Sequence, residues 1–312
     1  MALLDALRAL TSFDPPASLP PCDLALLADV LDAHGLAPLA SYLLESRRVG
    51  ASAPRWLRER LLPLYQGVAN DNVFRLVTLR NALRSVDVPV VLLAGAAYFD
   101  WLYPHVAFRP VGELRLAVPA RHGALFAEQL AESGFVDTRL GRGGHTATLG
   151  DGRIEIVIQE GLVRGQPGEF GLFDRQQPFP AMGPSAARPS AGDALLFTVA
   201  ELALSGLHSP LVLIVDLREL LSLPEMGSAA HLGEIRGRAE RAGLGRTLHG
   251  ACSLTSHFFP GVAGRASELA PRLGRAERAA VDAVVESAKD PARLRLPRGV
   301  EAGGRLILAP SP

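Results

Sequence analysis

The residue types that carry catalytic chemistry are unevenly represented in this chain of 312 residues. Its basic residues are almost all arginine, because Lys289 is the only lysine. A phosphate-binding loop of the Gly-Lys-Ser/Thr type needs a lysine after a glycine-rich turn, and a Schiff-base enzyme needs one in its core. The lysine at position 289 meets neither requirement, so we exclude both classes.

Histidine and serine also form no recognisable catalytic pattern. The eight histidines are scattered over different predicted elements, and none has the His-Glu-x-x-His spacing of a zinc site. The Gly-x-Ser-x-Gly turn of acyl-transfer enzymes is absent. We therefore predict no metal and no other cofactor.

Charge and cysteine content limit the partners. The chain has 32 basic and 32 acidic residues without a basic cluster, which disfavours nucleic acid. Cys22 and Cys252 are too far apart in sequence to indicate a disulfide scaffold or a zinc module. No apolar run reaches the roughly 18 residues of a membrane span, and the first residues lack the basic lead of a secretory signal. We expect a cytoplasmic protein that binds neither nucleic acid nor membrane.

The elements that would position any site change character along the chain. Helical periodicity dominates residues 1–86, where Asp23 is a predicted N-cap and 55–64 and 64–85 are predicted as separate helices. Strand patterns then appear at 88–93, 113–118 and 153–159, with a helix over 120–134.

Residues 161–192 are rich in Gly and Pro and are predicted to be a connection, and 193–312 are again helical. The sequence thus predicts an α+β fold. A small mixed sheet over residues 87–160 is flanked by an N-terminal helical region (1–86) and a C-terminal one (193–312).

The motifs of the middle region resemble those of the uncharacterised bacterial nucleotidyltransferase-like family. The matching stretches are Val88-Pro-Val-Val-Leu-Leu-Ala-Gly, Leu102-Tyr-Pro, Arg109-Pro-Val-Gly-Glu-Leu-Arg-Leu-Ala-Val-Pro, Glu132-Ser-Gly-Phe, Arg153-Ile-Glu-Ile-Val and Val215-Asp-Leu. The resemblance covers about residues 25–260. It implies a nucleotidyltransferase-type sheet whose Asp-x-Asp strand and neighbouring acid hold two metal ions.

The chain departs from the family pattern at the positions that carry this chemistry. The lysine of the family's Leu-Lys-Gly signature is Ala94, followed by Gly95, and the Asp-x-Asp positions are Glu113 and Arg115. On the third strand Glu155 is kept, but the family's histidine is Val157. An arginine cannot ligate a cation. We therefore predict a degenerate active site in which Glu113 and Glu155 lie beside Arg115 on one sheet face.

These departures, taken with the resemblance, favour a protein without catalytic activity. Domains of this kind occur near pathways for ribosomal peptide natural products and cell-surface glycans, so the resemblance implies a pseudoenzyme that binds a precursor peptide or a pathway protein. Two alternatives stay open, an active metal-dependent nucleotidyltransferase with relocated ligands and a purely structural subunit. A homo-oligomer is also left open.

Candidate ligand-binding residues follow from the same interpretation. They are Arg109, Arg115, Phe170, Phe173 and Phe179. The three phenylalanines lie in the 161–192 segment, where aromatic side chains in a flexible arm could supply contact area for a peptide. The neighbouring strand 153–159 is expected at the edge of the sheet, with free backbone groups for a guest strand.

Overall fold

The computed structural model describes residues 2–141, 144–149, 152–162 and 171–290. Its helices are α1 (Ala2–Ala9), α2 (Leu24–Ala33), α3 (Ala37–Ser46), α4 (Arg55–Leu83), α5 (Gly95–Tyr98), α6 (Gly123–Glu132), α7 (Leu172–Arg175), α8 (Ala191–Leu204), α9 (Val212–Ser222), α10 (Ala229–Arg241), α11 (Gly245–Phe258), α12 (Ala263–Leu269) and α13 (Arg275–Ala288). Its strands are β1 (Val90–Leu93), β2 (Leu114–Ala117), β3 (Phe135–Gly141), β4 (Gly144–Leu149), β5 (Glu155–Gln159), β6 (Gln177–Pro178) and β7 (Ala186–Arg188). The predicted α+β class is confirmed.

The chain divides into two compact units. The helical unit comprises Met1–Val68, Ala107–Arg109 and Thr198–Pro312, and the sheet unit comprises Ala69–Val106 and Pro110–Phe197. None of the helices within the described ranges is long and apolar enough to span a membrane.

The sheet unit is built on one mixed sheet with the strand order β3-β4-β5-β2-β1-β7-β6. The pairs β1–β7 and β2–β5 are parallel, and the remaining neighbours are antiparallel. All four residues of β1 are buried, as its run of Val and Leu predicts. The centre of the sheet is therefore formed by the short strands that the apolar pattern indicated.

The position of β5 corrects one expectation. Residues 153–159 were expected to form an edge strand, but β5 lies between β4 and β2 and pairs with both. Its backbone groups are used within the sheet, because the parallel partner β2 occupies the side that a guest strand would need. The two outermost strands are β3 and β6.

The segment 161–192 also differs from the predicted connection. Its described part, residues 161–162 and 171–192, contains α7, β6 and β7, and β7 pairs with β1 through Val90↔Ala186 and Val91↔Ala187. Residues 163–170 lie outside the described residues. The segment thus extends the sheet beyond β1, although its strands are only two and three residues long.

Two local predictions, the N-cap at Asp23 and the helix break near residue 64, can be compared with the structure. Asp23 caps α2 as predicted, because its Oδ1 accepts hydrogen bonds from the backbone of Ala25 and Leu26 at 3.0 and 3.1 Å. The predicted break near position 64 is wrong, since α4 runs through Pro63 as one helix of 29 residues. Leu57 and Leu61 before the proline's turn are fully buried, and such packing offsets the backbone donor that proline lacks.

Candidate functional site

The turn after β1 has an unusual backbone. Ala94 has φ 54° and ψ −146°, a region that non-glycine residues seldom adopt and that costs on the order of 1–3 kcal/mol. Gly95 follows it, buried at the start of α5. Strained backbone of this kind clusters at functional sites. This turn follows β1 at the position where the sequence pattern of the family has a lysine, and the side chain of Ala94 ends at Cβ.

Arg115 on β2 lies at the second acid position of the Asp-x-Asp pattern. Its Nε donates to Oε2 of Glu113 at 2.5 Å, and the side chains of Arg115 and Glu113 are 15% and 38% exposed. The arginine guanidinium carbon also lies 5.8 Å from the ring centre of Phe197. The alternation of side chains along a strand places residues 113 and 115 on one face, so the pairing follows from the sequence spacing.

The neighbours of Arg115 in the sheet are apolar. Leu93 of β1 and Val157 of β5 are its register partners on either side. Leu93 is fully buried and Val157 is 4% exposed. Directly paired residues point to the same face. The arginine is therefore flanked by hydrocarbon on the face where a metal site would need carboxylates.

Glu155 stands apart from this ion pair. It is the first residue of β5, its side chain is exposed, and it forms no ion pair with any residue that the structure describes. The structure thus brings Glu113 and Arg115 together and leaves Glu155 in solvent. The predicted arrangement of two acids around one arginine is reduced to one acid and one arginine.

The residues present do not fit the two metal ions that the family resemblance implies. Carboxylate oxygens are the ligands that Mg²⁺ prefers, and a catalytic pair needs several of them on one face. In the described part of the chain, no three His, Cys, Asp or Glu side chains are grouped closely enough to hold a metal ion. At this position the fixed cation is a guanidinium, which binds anions and repels metal ions.

Arg109, a candidate ligand-binding residue, is buried in the helical unit and bound to Asp216 of α9. Its Nε lies 3.0 Å from both carboxylate oxygens of Asp216, and its Nη2 lies 2.7 Å from Oδ2. Arg109 is 8% exposed and Asp216 is fully buried. Two motifs that carry the family resemblance, Arg109-Pro and Asp216-Leu, therefore meet in one buried ion pair.

The phenylalanines of the 161–192 segment lie in different environments. Phe179 is 5% exposed, and Phe173 in α7 is half-buried. Phe170 lies outside the described residues. Because Phe179 is already covered by its own unit, it offers little surface to a peptide.

Arg188 is a residue of interest that the sequence analysis did not single out. Its guanidinium carbon lies 5.1 Å from the ring centre of Trp101 and 5.7 Å from that of Phe179. Among the residues that the structure describes, its buried Nε has no hydrogen-bond acceptor and the arginine belongs to no ion pair. It ends β7, which runs parallel to β1, so both strands end at the same edge of the sheet.

A second missed feature is a polar network at the start of α8. Asp193 is fully buried, and its carboxylate accepts from Nε and Nη2 of Arg175 at 3.1 and 3.0 Å and from the hydroxyl of Ser190 at 2.6 Å. The Ser190-x-x-Asp193 spacing is a capping signal that could have located this helix start. The network anchors α7 to α8 and leaves no free group for a ligand at Asp193.

A comparison with protein families matches residues 20–260 to the family described as uncharacterised nucleotidyltransferase. The match covers more than half of the chain and includes all the motifs on which the resemblance rests. The searches of curated proteins and of solved structures gave no match.

Proposed function

Because the chain belongs to the uncharacterised nucleotidyltransferase family, we propose that it keeps the family's fold as a binding module and transfers no nucleotide. The observation that carries this proposal is the ion pair between Arg115 and Glu113, 2.5 Å apart at the Asp-x-Asp positions. A protein that lacks the second acid has no means of neutralising a triphosphate with two metal ions there. The Cβ-only side chain of Ala94 removes a phosphate contact as well.

A transfer assay tests the loss of activity directly. The full chain is incubated with Mg²⁺ and each of the four α-labelled nucleoside triphosphates, and both self-labelling and released diphosphate are measured. We expect neither product above the level of heat-denatured protein. Metal-dependent release of diphosphate by the native chain, abolished by Glu113→Gln, would show a working enzyme instead.

The proposed ligand is a peptide, with the precursor of a ribosomal peptide natural product as the first choice. The support for a peptide is β3, which is seven residues long and pairs with β4 at one end of the strand order, whereas β5 lies inside the sheet. An outermost strand offers main-chain donors and acceptors to an added strand without demanding particular side chains. A pathway protein with an extended segment would bind by the same means.

Hydrogen exchange with and without a candidate precursor peptide tests this ligand. We expect new protection in the backbone amides of Phe135–Gly141, because a guest strand would use the amides that β4 leaves unpaired. A scrambled peptide of the same composition is the control. Binding that leaves β3 unprotected would rule out strand addition at this edge.

A second candidate is an active nucleotidyltransferase with relocated ligands, and Arg188 is the observation in its favour. The guanidinium lies between two aromatic rings at the edge of the sheet where the family's lysine is missing. Arginine binds phosphate in bidentate fashion and stacks on rings, so this position suits a nucleotide. Loss of nucleotide affinity in Arg188→Ala, from a measurable value in the unaltered chain, would favour this candidate.

A further inference from the structure

The helical unit contains a cavity of about 600 Å³. It is formed by α1, residues 12–16, α9 and residues 258–262. Small-molecule sites typically have volumes of about 300–1,000 Å³ and combine an apolar lining with a few polar groups. The size of this cavity is therefore suited to a small organic ligand or to one or two peptide side chains.

Aromatic rings supply much of the apolar lining. Phe13, Phe258 and Phe259 all line the cavity, together with Pro260 and Val262. The ring centres of Phe258 and Phe259 lie 6.4 Å apart. The partial negative charge of a ring face attracts ammonium groups. The same rings offer a large apolar surface against which hydrocarbon packs. This lining favours a ligand with an apolar body.

Both arginines in the cavity wall are already engaged by groups of the protein. Arg8 donates from Nε to the carbonyl of Phe258 at 2.6 Å, from Nη2 to the carbonyl of His257, and from Nη1 to Asp5 at 2.9 Å. Arg218 pairs with Glu219 and lies 4.6 Å from the ring centre of Phe259. Neither guanidinium is available to an anionic ligand without giving up these contacts.

The cavity wall also contains the acidic residues Asp14 and Glu219. Both hydrogen bonds from Arg218 to Glu219 end on Oε1, so Oε2 accepts none from the residues that the structure describes. Asp14, which is exposed, forms no ion pair within the same described ranges. Burial raises the pKa of Glu219, with Asp216 adding to the rise and Arg218 opposing it. The wall holds three acids and two bases, which is an excess of one negative charge when all five groups are ionised.

From this lining we propose that the cavity binds a ligand with an apolar body and one primary ammonium group. The ammonium group donates to Oε2 of Glu219, and the apolar body packs against Phe258 and Phe259. Asp14 at the exposed side adds attraction for the positive charge. The same chemistry is offered by a free arylalkyl amine and by a lysine side chain beside an aromatic residue.

Binding of matched probes to the full chain tests the proposal. The probes are 2-phenylethylamine, the neutral 2-phenylethanol and the anionic phenylacetate, each titrated by calorimetry at low salt. We expect the amine to bind at least tenfold more tightly than the other two. Equal affinity for the three probes, preference for phenylacetate, or no binding of the amine would overturn the proposal.

Variants locate the site within the cavity. Glu219→Gln should lower amine affinity to that of the alcohol, and Asp14→Asn should lower it several-fold without a risk to folding, because Asp14 is exposed. Glu59→Gln, an exposed acid on α4, is the control and should leave affinity unchanged. Amine affinity that is unaltered in both cavity variants would contradict the assignment.

The blocked dipeptide N-acetyl-phenylalanyl-lysine amide distinguishes the two sources of the ligand. Tighter binding of the dipeptide than of 2-phenylethylamine would identify a peptide side chain as the occupant. Tighter binding of the free amine would identify a small molecule. Either result supports the ammonium site, whereas failure of both probes removes it.

Discussion

At position 115, on β2, the chain has an arginine where the family pattern has an acid. The guanidinium of Arg115 is held beside Glu113, and its carbon lies 5.8 Å from the ring centre of Phe197. Its register partners on the neighbouring strands are Leu93 and Val157. A residue that balances a charge inside the sheet unit is expected to contribute to stability.

Arg115→Ala should therefore destabilise the protein. We expect a loss of about 1–3 kcal/mol, between the value for an exposed ion pair, under about 1, and that for a buried one, about 3–5. Chemical denaturation measures it. Arg55→Ala, which breaks a pair whose side chains are 85% and 58% exposed, is the control and should cost less than about 1 kcal/mol. Equal effects of the two variants would show that Arg115 is not held in the sheet.

Breaking the ion pair between Arg109 and Asp216 should lower the free energy of unfolding more than Arg115→Ala does. Asp216→Asn leaves a buried guanidinium without its counter-charge, so we expect a loss of about 3–5 kcal/mol in denaturation experiments. The double variant Arg109→Met/Asp216→Leu removes both charges and should be less destabilised than the sum of its single variants. Strict additivity would mean that the two side chains do not interact.

Cysteine reactivity tests the burial of α11. Burial raises the pKa of Cys252 to about 12, whereas Cys22 is partly exposed and its pKa is raised by burial and by Asp23. Because the thiolate is the reactive form, Cys252 should resist a thiol reagent at pH 8 until the protein unfolds. In the Cys22→Ser variant Cys252 is the remaining cysteine, so any labelling can be assigned to it. Rapid labelling of native Cys22→Ser protein would contradict the burial of Cys252.

At the scale of elements, sequence patterns located the regular strands and missed those without a pattern. The Val-Leu run of β1 and the alternation in β2 and β5 are strong signals, and all three strands form. By contrast, β7 is Ala-Ala-Arg and β6 is Gln-Pro, which have low strand propensity. β7 forms a strand because β1 offers it an edge for pairing, and β6 pairs with β7 in turn. Local sequence does not reveal this tertiary cause.

The site could be predicted only where it depends on local spacing. Residues 113 and 115 share a face by strand alternation, and they do form an ion pair. The partner of Arg109 lies 107 residues away in sequence, and no local pattern connects them. Arg188 was missed for the same reason, since its ring neighbours come from other segments of the sheet unit.

Gly183 tests whether the 171–192 segment packs as described. It has φ 150°, and a Cβ there would lie 2.8 Å from the carbonyl oxygen of Leu83. Gly183→Ala should therefore destabilise the protein by about 1–3 kcal/mol, as measured by thermal or chemical denaturation. Gly67→Ala in α4, where a Cβ would meet nothing within 4 Å, should stabilise by about 0.5–1 kcal/mol. A neutral Gly183→Ala would mean that this segment is not packed against Leu83.

At the scale of the whole molecule, residues 1–68 of the first helical region and residues 198–290 of the second belong to one compact unit. Residues from both ends of the chain hold it together: the backbone amide of Leu211 donates to Nδ1 of His34 at 3.1 Å, and Arg8 donates to the carbonyl of Phe258. Sequence patterns predict the individual helices. They do not predict that helices before and after the sheet pack on each other in one unit. The family match, residues 20–260, includes parts of both regions.

The central claim is that this inherited fold no longer binds a nucleoside triphosphate with its metal. Calorimetric titration of the full chain with ATP, GTP, CTP and UTP, each with and without Mg²⁺, tests it most directly. We predict no metal-dependent binding, because Ala94 and Arg115 replace the lysine and the acid that the chemistry needs. A micromolar affinity that requires Mg²⁺ and is lost in Arg188→Ala would contradict the claim and establish an enzyme with relocated ligands.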